Sequence, residues 1–187
     1  MDTTKPIEQL RKPTLGIDIG RVIISGDHGT AKGDTSFFSG DDAAVLATPG
    51  VLGAFEAIAA LVEHFEGRAS LVSKCGPNVQ RRSMQWLTHH QFWSITGIDS
   101  GSVRFCKERR EKAGICKQLA ITHFIDDKAD VISSLAGIVE NRFLFGPQTS
   151  ATPGGALHTP CWVDVLEAIP FSSQPSRPER PKKTGRH

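Results

Sequence analysis

Three short apolar stretches each run into a polar residue: Leu15-Gly16-Ile17 into Asp18, Ser70-Leu71-Val72 into Ser73, and His123-Phe124-Ile125 into Asp126-Asp127. Runs this short, bounded by turn signals, read as buried strands. Between them the period changes. Val51, Phe55, Ile58, Leu61, Val62 and Phe65 recur at three-to-four spacing, and Gly67 stands where a left-handed cap ends a helix. Pro77 suits the first turn of a helix running through residues 79–90, since its missing N–H would have had no partner there.

Residues 103–106 read as a further strand, 112–120 as a helix, 129–137 as another, 142–146 as a last strand and 161–169 as a last helix. Strands alternating with helices imply parallel strands joined by crossover helices, an α/β doubly wound sheet covered on both faces. Residues 26–42, with four glycines and four aspartates, have loop or hairpin composition. Neither that stretch nor the interval from Ser73 to Lys112 has room for a sizeable cap domain. At 187 residues one core is expected over residues 1–171. Residues 172–187 form a basic Pro-rich tail, expected to be disordered because nothing apolar repays its ordering entropy.

Composition excludes several classes. No apolar run approaches the roughly 18 residues of a membrane span, and the N-terminus lacks the pattern of a signal peptide, so a soluble cytoplasmic protein is expected. Cys75, Cys106, Cys116 and Cys161 are too scattered for a zinc site or a disulfide scaffold and read as reduced thiols. The tail carries the excess of positive charge but offers no aromatic platform for bases, which weighs against nucleic acid.

If the strands are parallel neighbours, Asp18, Ser73 and the Asp126-Asp127 pair converge at the edge where ligands bind in such sheets. Carboxylates so close repel one another by roughly 4 kcal/mol per pair at about 4 Å and an effective dielectric of 20. A cation is therefore expected between them. Hard oxygen donors without His or Cys favour Mg²⁺, which takes one or two carboxylates together with substrate phosphate oxygens. Ser73, before the Pro77 helix, and Lys112, opening the helix that leads to the aspartate pair, suit phosphate binding. His123 reads as a core or edge residue, Asp130 as part of a helix turn, and His89-His90 as surface.

In that order, DIGRV at 18–22, VSK at 72–74, Lys112 and IDD at 125–127 resemble the four motifs of the haloacid dehalogenase-like (HAD) phosphohydrolases, over about residues 14–146. The resemblance implies that Asp18 is the nucleophile taking up the phosphoryl group. It implies Mg²⁺ ligation by Asp18, the Gly20 carbonyl and Asp127, with Asp126 orienting its neighbours at the metal. Ser73 and Lys112 would hold phosphate oxygens.

The sequence departs from that family at one chemical part. The second aspartate, which protonates the leaving oxygen, is replaced by Gly20, and Arg21-Val22 stand where Gly and Thr are common. Such an acid is worth about 10²–10⁴-fold in rate. Three accounts stay open: Asp27, His28 or Asp34 replaces the acid; the leaving group needs none; or the site binds a phosphorylated ligand or a partner protein without turnover. A site without a lid suits a large substrate, or a homodimer in which a second copy covers it.

Overall fold

The computed structural model describes residues 12–26, 38 and 40–170. Its strands are β1 (Leu15–Ile17), β2 (Ala69–Lys74), β3 (Val103–Cys106), β4 (His123–Asp126), β5 (Asn141–Phe145) and β6 (Leu157–Thr159). They form one sheet in the order β3-β2-β1-β4-β5-β6, every pairing parallel. The strand order reverses between β1 and β4, and such a reversal opens a crevice beyond the carboxyl ends of the strands.

Among the described residues seven α-helices follow in chain order: α1 (Asp42–Leu46), α2 (Ala54–His64), α3 (Pro77–His89), α4 (Phe92–Thr96), α5 (Glu111–Gln118), α6 (Ala129–Ser134) and α7 (Trp162–Ala168). The strand residues alternate between two cores. Leu15, Ile17, Leu71, Ile125 and Phe143 pack against α2, α3, α4 and α7 on one face, while Val72, Phe124 and Leu144 meet α5 and α6 on the other. Gly16 belongs to the second face, where a Cβ would stand 2.5 Å from Phe124 Cδ2 and 2.8 Å from Ile121 Cδ1. Only glycine lets the β4 phenylalanine lie over β1.

The doubly wound parallel sheet expected from the alternation is the fold observed, and no sizeable cap is present among the described residues. Several elements depart from expectation, α4 among them, for which no helix was expected. β6 was not foreseen because residues 157–159 form a three-residue edge strand with two exposed side chains, too short for a period. α1 starts at Asp42, where a loop was expected to end, because Asp41 Oδ1 accepts the Ala44 N–H at 2.8 Å and caps the turn. α2 begins only at Ala54, after Gly53 turns left-handed at φ 74°, and Gly67 at φ 77° follows its end as the cap pattern predicts. The tail at 172–187 lies outside the described residues, as do Asp27, His28 and Asp34. Among the described residues no helix is long and apolar enough to cross a membrane, and all four cysteines are free thiols.

Candidate active site

The register places the candidate residues. Ile17 pairs with Leu71 on one side and Ile125 on the other, and the Asp18 N–H continues the ladder to the Ile125 carbonyl at 2.9 Å. Asp18 therefore stands beside Asp126 at the strand-order reversal, with Asp18 lining the crevice and Asp126 buried behind it. Asp18 is 7% exposed, Asp126 fully buried and Lys112 2% exposed, so their charges must satisfy one another.

They do so through one ammonium. Lys112 Nζ lies 2.8 Å from Asp18 Oδ1 and 2.6 Å from Asp126 Oδ2. Lys112 is held at the first turn of α5 by its neighbour: Glu111 Oε2 accepts the N–H groups of Lys107 at 2.8 Å and Glu108 at 3.0 Å, folding the approach loop onto the helix start. Burial by itself would lower the Lys112 pKa, but the carboxylates of Asp126 and Asp18 outweigh it and hold the amine protonated. Burial pushes the Asp126 carboxyl upward against the pull of Lys112.

Asp127 completes an acidic cluster in which one oxygen from each of Asp18, Asp126 and Asp127 lies within 4.8 Å of the others. Burial, reinforced by the Asp18 charge, raises the Asp127 pKa, so the site favours added positive charge. Two cations already approach it: Lys128 Nζ at 3.2 Å and Arg21 Nη1 at 3.8 Å from Asp127 Oδ2. The backbone beneath is fixed, because Asp126 Oδ1 accepts the Lys128 N–H at 2.9 Å and Gln148 Nε2 donates to the carbonyls of Asp127 and Phe145. Three close carboxylates with no imidazole or thiolate among them are a hard-oxygen donor set, which fits Mg²⁺.

One cleft takes in Asp18, Gly20, Ser73, Lys112 and Asp127 together. Asp126 forms part of its buried support. Asp18, Gly20, Ser73, Lys112, Asp126 and Asp127 thus meet at one rim of the sheet. The same cleft is lined by Arg21, Lys74, Arg109 and Lys128, four cations to which the residue pattern assigns no binding role. Two of them had a signal, since Lys74 and Lys128 directly follow Ser73 and Asp127 at strand ends. Phe38 and Ser83, both buried, form part of another wall, where Arg82 Nη1 donates to the Phe38 carbonyl. Their burial depends on a long-range contact between the segment before α1 and α3, which no local pattern signals. Cys75 also lines the cleft, but burial and the Asp18 charge push its thiol up to about 12. It is a neutral thiol and a poor nucleophile.

After Asp18 the chain makes a tight turn, closed by Ile23 and Ile24 N–H groups on the Ile19 carbonyl and by the Arg21 N–H on the Ile24 carbonyl. Arg21 sits at φ 62°, the left-handed region that glycine adopts freely. The turn expected of the motif thus forms with arginine carrying its backbone cost. Trp162 of α7 braces it, donating Nε1–H to the Val22 carbonyl at 2.9 Å. Of the remaining candidates, His123 lies between the rings of Phe65 and Phe143, and Asp130 takes Arg109 Nη1 at 3.0 Å.

No family model and no curated relative matches the chain. Solved structures do match. A protein of Burkholderia xenovorans LB400 described as a haloacid dehalogenase-like hydrolase superposes with a TM-score of 0.56 at 12% identity, covering 83% of this chain and 95% of its own. A HAD family hydrolase of Deinococcus radiodurans R1, solved with bound phosphate and sodium, gives 0.55 at 12% identity over 83% and 93%. At this identity the similarity shows the fold, which is that of the HAD hydrolases.

Proposed function

We propose that the chain is a Mg²⁺-dependent phosphohydrolase or phosphotransferase of the HAD type, with Asp18 as its nucleophile. The observation that carries this reading is the single ammonium of Lys112 shared between Asp18 and Asp126, with Asp127 beside them at the strand-order reversal. Phosphoryl transfer depends mainly on positioning and charge stabilisation, and this cluster supplies both.

An Asp18 carboxylate oxygen attacks phosphorus, the bond to the leaving oxygen breaks, and an aspartyl-phosphate forms. Water then attacks phosphorus, releasing phosphate and restoring Asp18. Lys112 orients the nucleophile and offsets negative charge on the transferring group; Ser73, at the end of β2, donates to a phosphate oxygen. Asp18, Asp127 and the Gly20 carbonyl would hold Mg²⁺, with Asp126 orienting the set. The ion supplies charge neutralisation of the phosphoryl oxygens when bound. Lys74, Arg109 and Lys128 add to the field that draws in a phosphorylated substrate.

Position 20 offers no proton, so the leaving oxygen either departs as a stable anion or is protonated from elsewhere. The reading is tested with a panel of phosphate esters and acyl phosphates, with Mg²⁺ and with chelator. Release that needs Mg²⁺ and disappears in Asp18→Asn is expected; release that survives both changes overturns it.

One observation favours a second reading, a HAD-fold protein that binds a phosphorylated ligand or a partner without turnover: Arg21 Nη1 lies 3.8 Å from Asp127 Oδ2, so a guanidinium already faces a carboxylate that would hold the metal. Gly20→Asp separates the two. Activity that appears only in this variant marks the native site as binding without turnover, whereas a fall from measurable activity means that the native turn is suited to its chemistry.

A further inference from the structure

Beside the phosphate cleft lies a second cavity, a groove of about 440 Å³ over the carboxyl ends of β5 and β6. Its walls are mainly apolar, with Val51 and Leu52 before α2, Phe145 at the end of β5 and Pro147 beyond it, and Trp162 and Val163 of α7; Arg21 and Glu56 are the charged residues of the lining. Arg21 lines both cavities, so groove and cleft adjoin at a residue of the turn after Asp18. Two of the wall residues leave large apolar side chains in water, Leu52 at 94% and Val163 at 61% exposure.

We propose that this groove receives the apolar leaving group of the substrate, so that the protein acts on phosphate monoesters of an aryl alcohol, whose oxygen departs as the stabilised aryl oxide anion, rather than on small polar phosphates. The inference rests on the phosphohydrolase reading and adds the substrate class to it. Asp18, Ser73 and Lys112 line the cleft that would hold the phosphoryl group, and the apolar surface that adjoins it at Arg21 is where the carbon body of the ester can leave water. The volume lies within the range of small-molecule sites, about 300–1,000 Å³. A second copy of the chain is the weaker occupant. A standard interface takes about 20–30 residues a side, whereas fourteen residues frame the groove. The other large exposed apolar side chains among the described residues, Ile95, Ile138 and Leu157, do not line it.

The site is also rigid where it needs to be. Trp162 and Phe145 are 2% exposed and their rings meet at 5.2 Å between centroids, forming a fixed floor. The Trp162 indole N–H is committed to the Val22 carbonyl. An apolar group on that floor therefore rests against the same side chain that braces the turn after Asp18.

The test uses two non-hydrolysable probes on the full chain with Mg²⁺ present, 1-naphthylmethylphosphonate and methylphosphonate, with affinities from calorimetry. The naphthyl probe is expected to bind at least about tenfold more tightly, and Leu52→Asp or Val163→Asp to bring the ratio toward one. Both residues are exposed, so the variants keep the fold, and a thermal melt checks this. Equal affinities for the two probes, or a preference that neither variant reduces, overturn the proposal. So does a dimer in sedimentation that Leu52→Asp dissociates without any probe preference, which gives the groove to a second copy. A naphthyl preference that both variants abolish, with no release from 1-naphthyl phosphate, leaves the subsite standing and removes the phosphohydrolase reading instead.

Discussion

Lys112 Nζ lies 2.6 Å from Asp126 Oδ2, a contact between the first turn of α5 and the end of β4 in which both groups are shut away from water. The same ammonium meets Asp18. Removing it leaves two carboxylates facing each other in a buried site. Lys112→Met should therefore lower stability by about 3–5 kcal/mol, the cost of breaking a buried ion pair from one side. Adding Asp126→Asn should recover part of that loss, and urea unfolding of the two single variants and the double variant measures the coupling.

Arg21 carries a backbone conformation that glycine would adopt without strain, at φ 62°. Arg21→Gly and Arg21→Ala both remove the guanidinium facing Asp127, but only glycine relieves the backbone. The glycine variant should be the more stable of the two by about 1 kcal/mol. Equal unfolding midpoints would mean that the turn bears no such cost.

Two glycines should respond in opposite directions. Gly16→Ala forces a methyl into Phe124 and Ile121 across β1 and should cost about 1–3 kcal/mol. Gly114, exposed within α5, has nothing within 4 Å of a built Cβ, and Gly114→Ala should gain about 0.5–1 kcal/mol by helix propensity. Thermal denaturation of both variants checks the signs.

His123 supplies a pH dependence away from the acidic cluster. Burial, then the nearby His64, pull its pKa down to about 4. The unfolded chain, with an ordinary imidazole near 6.5, binds the proton more readily over the interval between. Stability from this residue is therefore full above about pH 6.5 and is lost as pH falls toward 4. His123→Phe, which keeps the ring between Phe65 and Phe143, should flatten the fall in unfolding midpoint between pH 7 and pH 4.5. A fall as steep as that of the unsubstituted chain would assign the effect to other groups.

The alternation of apolar runs with helical periods determined the parallel sheet, because a strand buried on both faces needs an unbroken apolar run and its crossover needs an amphipathic helix. The polar residue closing each run marked Asp18, Ser73 and the Asp126-Asp127 pair, since a residue at the carboxyl end of a parallel strand stands at the crevice rim whatever follows it. The short elements were not legible. β6 exists because its backbone pairs with β5, and α4 (Phe92–Thr96) because Phe92 is buried against Phe55, and neither has a period long enough to read.

Tertiary structure alone decided that one lysine serves two aspartates, since Lys112 lies 94 residues from Asp18 and their approach depends on β1 and β4 being neighbours. It also decided that Arg21 turns toward Asp127 and that α7 brings an apolar groove beside the cleft. Sequence fixes which side chain stands at each strand end through local periods of two and 3.6 residues. Which strand ends become neighbours is set by the packing of the whole sheet, and that non-local choice assembles the charges into a site.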